Sequence, residues 1–168
     1  KVEDIAKSEM EWHYLGFYLK WHPQANYYFA TKYKFQPAPE RNAGSFSRYS
    51  GLDDKMDDFN YYFLYVKYGQ GRASYDTAQE IRRGDINRDE AKALIERYDG
   101  EYPTRFENEV YEYWSINKIP GANQKMIDAF EVKEVNRKYI EKLSDKFRSP
   151  HLWKYDKTKK NWRLNYDL

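Results

Sequence analysis

Residues Arg41–Arg83 read R-N-A-G-S-F-S-R-Y-S-G-L-D-D-K-M-D-D-F-N-Y-Y-F-L-Y-V-K-Y-G-Q-G-R-A-S-Y-D-T-A-Q-E-I-R-R. Apolar side chains recur in this stretch at spacings of 4, 3, 4 and 3 residues, at Leu52, Met56, Phe59, Phe63 and Val66. This spacing is typical of one apolar face of an α-helix. It predicts a central helix over residues 51–68 with that face buried. A turn at Gly69-Gln70-Gly71 separates it from a second predicted helix over 74–83.

The segments before this stretch predict one strand, one helix and a loop. Residues 11–21 are rich in aromatic side chains and partly alternate with polar ones, which predicts a strand. Pro23 suits the first turn of a helix that we expect to reach about Tyr33. Residues 36–50 contain two prolines, a glycine, three serines and an asparagine, so we expect a long loop there.

The segments after it predict further helices and a C-terminal hairpin. Asn87 with Glu90 and Thr104 with Glu107 form capping-box patterns, which predict helices to about Tyr98 and Trp114. Further helices are expected over 122–130 and from Val132 to Phe147, and a small hairpin over 152–164. The predicted fold class is mainly α, with a short N-terminal strand and a small C-terminal β-hairpin.

Composition narrows the classes of function. The 168 residues include 29 basic and 27 acidic side chains, a balance that gives no indication of nucleic-acid binding. No apolar run approaches the roughly 20 residues of a membrane span, and the first residues lack the apolar core of a signal peptide. The absence of cysteine excludes disulfides and thiolate zinc sites in this chain and favours a cytoplasmic location. The 18 tyrosines suit a domain that meets a sugar or a protein surface.

Motifs for self-contained catalysis are absent from the sequence, and no metal site is predicted. The three histidines are isolated, which favours structural or surface roles. Asp53, Asp54, Asp57 and Asp58 have two interpretations, as ligands of a magnesium ion or as charges that oppose a helix dipole; we favour the second. Trp153, Tyr155 and Trp162 form either a sugar-stacking platform or cross-strand packing within the hairpin, and packing is the simpler explanation.

The charged residues that follow the glycine turn also have two interpretations. Arg72, Asp76 and Glu80 are spaced by four residues and share one helix face. Such a row is commonly a solvated, salt-bridged surface. The alternative is an anion site, in which Arg72 binds a phosphate or carboxylate and Asp76 orients the Arg72 side chain. The pattern alone leaves both open.

Six ordered blocks of the sequence resemble the C-terminal half of the N-acetyl sugar amidotransferases of bacterial surface-polysaccharide biosynthesis. The blocks are W-H-P-Q-A-N-Y-Y-F-A (21–30), P-E-R-N-A-G-S-F-S-R-Y-S-G-L-D-D-K (39–55), Y-V-K-Y-G-Q-G-R-A-S-Y-D-T-A-Q-E-I-R (65–82), G-D-I-N-R-D-E-A (84–91), Y-D-G-E-Y-P (98–103) and D-K-F-R-S-P-H-L-W-K (145–154). They extend over most of the chain, so the resemblance is specific. Residues 104–144 follow the family pattern poorly, and no role is carried over to them.

The resemblance implies an enzyme of two halves. The N-terminal half would be a PP-loop ATP pyrophosphatase with an S-G-G-x-D-S phosphate loop and cysteine pairs that bind zinc, and this chain contains neither. Residues 1–21, with the strand 11–21, would be the end of that nucleotide-binding sheet, and residues 22–168 the helical C-terminal domain. We therefore expect this chain alone to be inactive and not to bind ATP or magnesium.

The resemblance also implies the reaction, the partners and a set of site residues. ATP activates the oxygen of a sugar acetamido group, and ammonia from a separate glutaminase subunit replaces it to give an acetamidino group, as in lipopolysaccharide O-antigen biosynthesis. The substrate is a sugar or sugar nucleotide that often carries a carboxylate. The cationic part of the substrate pocket would come from residues of this chain, with Asp76 as an orienting acid: Arg41, Arg48, Lys55, Lys67, Arg72 and Asp76.

Two other classes of function remain open at this point. A non-catalytic assembly module would use its aromatic surface to hold the glutaminase or a second copy of the chain. A carbohydrate-binding module would stack sugars on Trp153, Trp162 and the tyrosines. An upstream segment with S-G-G-x-D-S would favour the amidotransferase over both.

Overall fold

The structure is a computed structural model that describes residues 2–8, 10–115 and 134–166. The chain forms two compact units, Lys1–Gln36 and Pro37–Leu168. Both are helical apart from a two-stranded antiparallel sheet near the C-terminus, so the predicted mainly α fold class is confirmed. The assignment of residues 1–21 to an upstream sheet stays a prediction.

The first unit contains three short helices: α1 (Val2–Ala6), α2 (Leu15–Tyr18) and α3 (Pro23–Lys32). Helix α3 begins as predicted, with Pro23 in its first turn and the His22 side chain accepting a hydrogen bond from the Ala25 amide. Proline suits this place because its missing N–H would have no partner within the helix.

The strand predicted over residues 11–21 is not formed. Leu15–Tyr18 make a single helical turn instead, and the rest of the segment has no regular structure. A strand requires a neighbour to satisfy its backbone groups, and the sheet within the described residues is formed by two other strands that pair with each other. The aromatic side chains that suggested a strand are exposed here, with Trp12 and Phe17 both 85% accessible.

The second unit contains five described helices and the two strands. The helices are α4 (Asp57–Tyr68), α5 (Arg72–Arg83), α6 (Arg88–Tyr98), α7 (Glu107–Trp114) and α8 (Arg137–Phe147). The strands are β1 (Trp153–Asp156) and β2 (Asn161–Leu164). The predicted helix over 122–130 lies outside the described residues, as does Val132, the predicted start of α8.

Helix α4 supplies the core, but it begins six residues later than predicted. The Asp54 carboxylate accepts a hydrogen bond from the Met56 amide, and this local turn competes with helix formation. Leu52 therefore precedes the helix and is 46% exposed, which makes its predicted burial wrong. Phe59 and Val66 are buried as expected, whereas Met56 and Phe63 are partly buried against the same core.

The core is formed where α4 meets α7 and α8. Its fully buried members from the three helices are Phe59, Tyr62, Val66, Val110, Tyr111 and Ile140. Phe59 lies at its centre, with edge-to-face ring contacts to Tyr102, Tyr111 and Trp114. Edge-to-face contacts bring the positive ring edge to the negative face of its neighbour, so they add to the energy of burial.

Of the two predicted capping boxes, one is present and one is absent. The capping box of α6 is present, because Asn87 accepts from the Glu90 amide and Glu90 accepts from the Asn87 amide. The box predicted from Thr104 and Glu107 is absent: α7 forms, but it starts at Glu107 after Phe106, which supplies no side-chain cap.

The predicted C-terminal hairpin is confirmed. Trp153 pairs with Leu164 and Tyr155 with Trp162 in an antiparallel register. The buried Trp153 indole donates to the Val66 carbonyl at 2.8 Å, which fixes the hairpin to α4. The rings of Tyr155 and Trp162 pack edge to face across the strands, as the packing interpretation predicted.

We predict that Phe59→Ala lowers the free energy of unfolding by about 3–5 kcal/mol, because it opens a cavity in the core. The control is Leu52→Ala, which removes a half-exposed side chain outside α4 and should cost less than about 1 kcal/mol. Urea denaturation followed by circular dichroism measures both. Equal losses in the two variants would contradict the placement of the core.

Candidate functional site

A loop at the start of the second unit folds back on itself, and its middle is buried. Its ends are joined by a hydrogen bond from the Ala38 amide to the Arg48 carbonyl, and its middle by one from Asn42 to Ser47. Asn42 and Ser45 are completely buried although both are polar. Buried polar groups require partners, and the rest of the second unit provides them. We call residues 38–48 the polar loop.

Glu101 holds the polar loop from one side. Its carboxylate receives two hydrogen bonds of 2.6 Å from the Arg41 guanidinium and one of 3.0 Å from the Gly44 amide. The Arg41 guanidinium also donates to the Asn42 and Ser45 carbonyls. The hydrogen bonds from Arg41 hold the pKa of the Glu101 carboxyl below its usual value, and Glu101 in turn raises the pKa of Arg41. A bidentate pair of this kind fixes the relative orientation of the two side chains and also pairs their charges.

Helix α5 holds the loop from a second side. The Ala73 amide donates to the Gly44 carbonyl, and the Ser45 hydroxyl donates to the Asp76 carboxylate at 2.8 Å. The Arg72 guanidinium also belongs to this cluster: it donates to the Asp76 carboxylate at 2.8 Å and to the Ser50 hydroxyl at 3.1 Å. Arg72 therefore contacts the segment 36–50 through Ser50.

The Arg72–Asp76 pair is not a solvated surface row. Side-chain exposure is 25% for Arg72 and 12% for Asp76, and Arg72 also donates to the Tyr61 hydroxyl. Burial raises the pKa of Asp76 even though the charge of Arg72 and the Ser45 hydrogen bond act to lower it. Burial likewise raises the pKa of Tyr61 to about 12, so this hydroxyl is neutral at physiological pH. The pair holds the loop in place, and a role in substrate binding stays a prediction.

Asp99 occupies the N-terminus of α5, where a phosphate would otherwise be expected. Its carboxylate accepts from the Gly71 and Ala73 amides, both at 2.9 Å, and from the Ser74 hydroxyl at 2.5 Å. A Cβ atom at Gly71 would lie 2.6 Å from an Asp99 oxygen, so the close approach requires glycine. Gly69-Gln70-Gly71 is the predicted turn between helices; its Gly71 amide donates to Asp99 and its Gly69 amide to the Tyr65 carbonyl.

Asp58 and Arg105 extend the network below the loop. Asp58 is 3% exposed; it accepts from the Asn42 side chain at 3.1 Å and lies 3.2 Å from the Arg105 guanidinium. The Arg105 guanidinium donates to the Asp58 carboxylate at 3.4 Å, and Arg105 Nε is buried without a hydrogen-bond partner in the described residues. Sequence reasoning missed both roles, since Arg105 lies in the part of the chain to which the resemblance carries nothing over.

A pocket of about 580 Å³ opens between the polar loop and the segment that follows α6. Its charged lining comes from both sides: Glu40, Arg41, Arg48, Glu101 and Arg105. A second pocket of about 310 Å³ shares Pro39, Glu40 and Arg105 with the first and extends to Asp53, Asp54 and Lys55. Both sizes suit part of a small ligand.

The structure brings together only part of the predicted site. Arg41 and Arg48 line the larger pocket, and Lys55 lines the smaller one but is exposed and paired with Glu109. Lys67 is not with them, because it lies beside Phe63 and Phe147 in an apolar groove between α4 and α8. Arg72 and Asp76 contact the loop but are absent from the lining of both pockets.

Comparison with known families gives one match that covers most of the chain. Residues 43–167 match the family described as LPS biosynthesis protein WbpG-like, C-terminal domain. The chain belongs to this family. Its function therefore falls within lipopolysaccharide biosynthesis, in agreement with the resemblance noted in the sequence. No curated protein matches the chain.

The WbpG-like match covers most of the site. It begins within the polar loop, at residue 43, and includes Arg48, Glu101 and Arg105. In the ranges that the structure describes, no helix has the length and apolar character needed to cross a bilayer.

We predict that Glu101→Gln destabilises the domain by about 1–2 kcal/mol at pH 7, since Arg41 and the Gly44 amide lose a charged acceptor. The pKa of Glu101 is lowered in the folded state, so its ionised form stabilises the fold above its usual pKa of 4.5. This stabilisation is lost as the pH falls below that value. The difference in unfolding free energy between wild type and variant should therefore shrink in acid.

Denaturant unfolding at a series of pH values measures this difference. Glu112→Gln is the matched control, since Glu112 is exposed on α7 and should show no such dependence. A difference between wild type and Glu101→Gln that stays constant from pH 7 to well below 4.5 would contradict the Arg41–Glu101 assignment.

Proposed function

We propose that this domain is the substrate-binding part of an ATP-dependent amidotransferase that converts a sugar acetamido group into an acetamidino group during lipopolysaccharide biosynthesis. The observation that carries the proposal is the polar loop. Residues 39–48 of the loop fall within one of the resembling blocks, 39–55, and the loop forms one wall of an arginine-lined pocket. Membership of the WbpG-like family supports the pathway.

The activating chemistry would come from the catalytic half that the resemblance implies. In that half, ATP with magnesium would adenylate the amide oxygen with release of pyrophosphate, and ammonia from a glutaminase subunit would displace that oxygen as AMP. Zinc would bind cysteine pairs of that half, because this chain has no cysteine. In the glycine-rich turn after α4 the Gly71 amide donates to Asp99, as does the Ala73 amide at the start of α5, which supports our expectation that this chain alone does not bind ATP.

Residues of this chain would bind and orient the sugar nucleotide. A rigid pocket wall reduces the entropy lost when a ligand is held, and the polar loop is fixed by contacts to Glu101, Asp76 and Asp58. Guanidinium groups at such a wall suit the diphosphate or carboxylate of the substrate. We expect the reaction to take place in the cytoplasm, where ATP and sugar nucleotides are available.

The first unit supports the proposal that residues 1–21 belong with the catalytic half. Residues 10–21 carry a row of exposed large apolar side chains: Met10, Trp12, Tyr14, Leu15, Phe17, Tyr18, Leu19 and Trp21. Apolar surfaces of this extent are typical of interfaces between domains or proteins. We propose that the PP-loop half covers this surface.

The experiment that tests the proposal is deletion of the gene in its source strain. We predict that lipopolysaccharide from the deletion strain carries an acetamido group where the wild type carries an acetamidino group, a replacement of NH by oxygen that mass spectrometry resolves. Reintroduction of the intact gene is the control and should restore the amidine. Lipopolysaccharide with an unchanged amidine content, or with no amidine in either strain, would contradict the proposed reaction.

A further inference from the structure

The arginines near the larger pocket differ in how many of their donors are already used. Arg41 donates to both oxygens of Glu101 and to two backbone carbonyls. Arg72 donates through all three of its nitrogens, to Asp76, Tyr61 and Ser50. Guanidinium groups with such complete sets of internal partners have little capacity left for a ligand. Arg41 therefore acts as a positioning residue that fixes the polar loop, and Arg72 acts on the loop through Asp76, which accepts from Ser45.

Arg48 is different. Within the described part of the chain, its guanidinium has a single hydrogen bond, to the Pro39 carbonyl at 3.3 Å, and forms no ion pair. The residue is exposed and its side chain lines the pocket of about 580 Å³. Its backbone is nevertheless held, because its carbonyl accepts from the Ala38 amide at 2.9 Å. A guanidinium that has no ion pair and whose backbone is held by hydrogen bonds is suited to bind an anion.

Arg105 stands on the opposite side of the same pocket. Its side chain is 22% exposed, and its terminal nitrogen lies 3.2 Å from one Asp58 oxygen and donates a long hydrogen bond of 3.4 Å to the other. Arg105 Nε is buried without a hydrogen-bond partner in the described residues. Buried donors are nearly always satisfied, so a donor left over at Arg105 Nε shows that the network around this residue is incomplete. Arg105 also lines the smaller pocket, and it therefore lies where the two pockets meet.

We propose that Arg48, assisted by Arg105, binds the anionic group of the substrate, a diphosphate or a sugar carboxylate, in the pocket between the polar loop and residues 101–105. The identity of this ligand rests on the proposed function. The uncharged part of the ligand extends into the smaller pocket, where the exposed carboxylates of Asp53 and Asp54 accept hydrogen bonds from sugar hydroxyls. The Glu40 carboxylate at the shared wall opposes anion binding and limits the affinity.

Isothermal calorimetry with the whole 168-residue chain tests this assignment. Two probes separate the two sources of negative charge. UDP-N-acetylglucosamine carries a diphosphate without a carboxylate, and N-acetylglucosaminuronate carries a carboxylate without a diphosphate. We expect wild type to bind at least one of them, with an affinity that falls as the salt concentration rises.

The variants separate a ligand role from a structural one. Arg48→Ala should weaken binding about tenfold or more, since a charged hydrogen bond is lost, and should remove most of the salt dependence. Arg48→Lys should restore part of the affinity, and Glu40→Gln should strengthen binding. Arg88→Ala is the matched control, because Arg88 is exposed at the start of α6 and lines neither pocket.

Two results would overturn the assignment. One is equal affinity of wild type and Arg48→Ala for the probe that binds. The other is the absence of binding of both probes to wild type at millimolar concentration. Neither result bears on the amidine content of lipopolysaccharide in the deletion strain, so the failure of this site and the failure of the proposed function can be told apart.

Discussion

Two carboxylates on either side of one glycine hold the second unit together. Asp99 caps the N-terminus of α5, and Glu101 binds Arg41 and the Gly44 amide of the polar loop. Gly100 between them has φ of +80°, and a Cβ atom there would lie 2.2 Å from the Tyr65 ring. Only glycine lets the chain pass this close to α4 while directing the two acids to different partners.

This constraint explains why a loop rich in polar residues is buried. A buried polar group costs several kilocalories per mole when it lacks a partner, and little when it is satisfied. The Asn42 side-chain nitrogen donates to Asp58 on α4, and the Ser45 hydroxyl donates to Asp76 on α5. The loop is thus a rigid wall rather than a flexible connection, and its one guanidinium without an ion pair in the described residues, that of Arg48, faces a pocket.

The sequence was informative where the structure depends on local signals. Asn87 and Glu90 are three residues apart, and their capping box could be read directly. The predicted start of α4 was too early, because the Asp54 side chain accepts a hydrogen bond from the Met56 amide and competes with the helix. The strand predicted over residues 11–21 was wrong, because a strand needs a neighbouring strand to pair with. The pairing of Arg41 with Glu101 joins residues 60 positions apart, and no local pattern predicts it. The predicted arginines could therefore be named, but not sorted into positioning and ligand roles.

The rigidity of the polar loop is the central claim, and amide hydrogen exchange measures it most directly. The Asn42 amide donates to Ser47 and the Gly44 amide to Glu101. If the loop is a fixed part of the fold, both amides should exchange about as slowly as that of Val66, in the last turn of α4. Exchange of the Asn42 and Gly44 amides at the rate of an unstructured peptide, with Val66 still protected, would contradict the account.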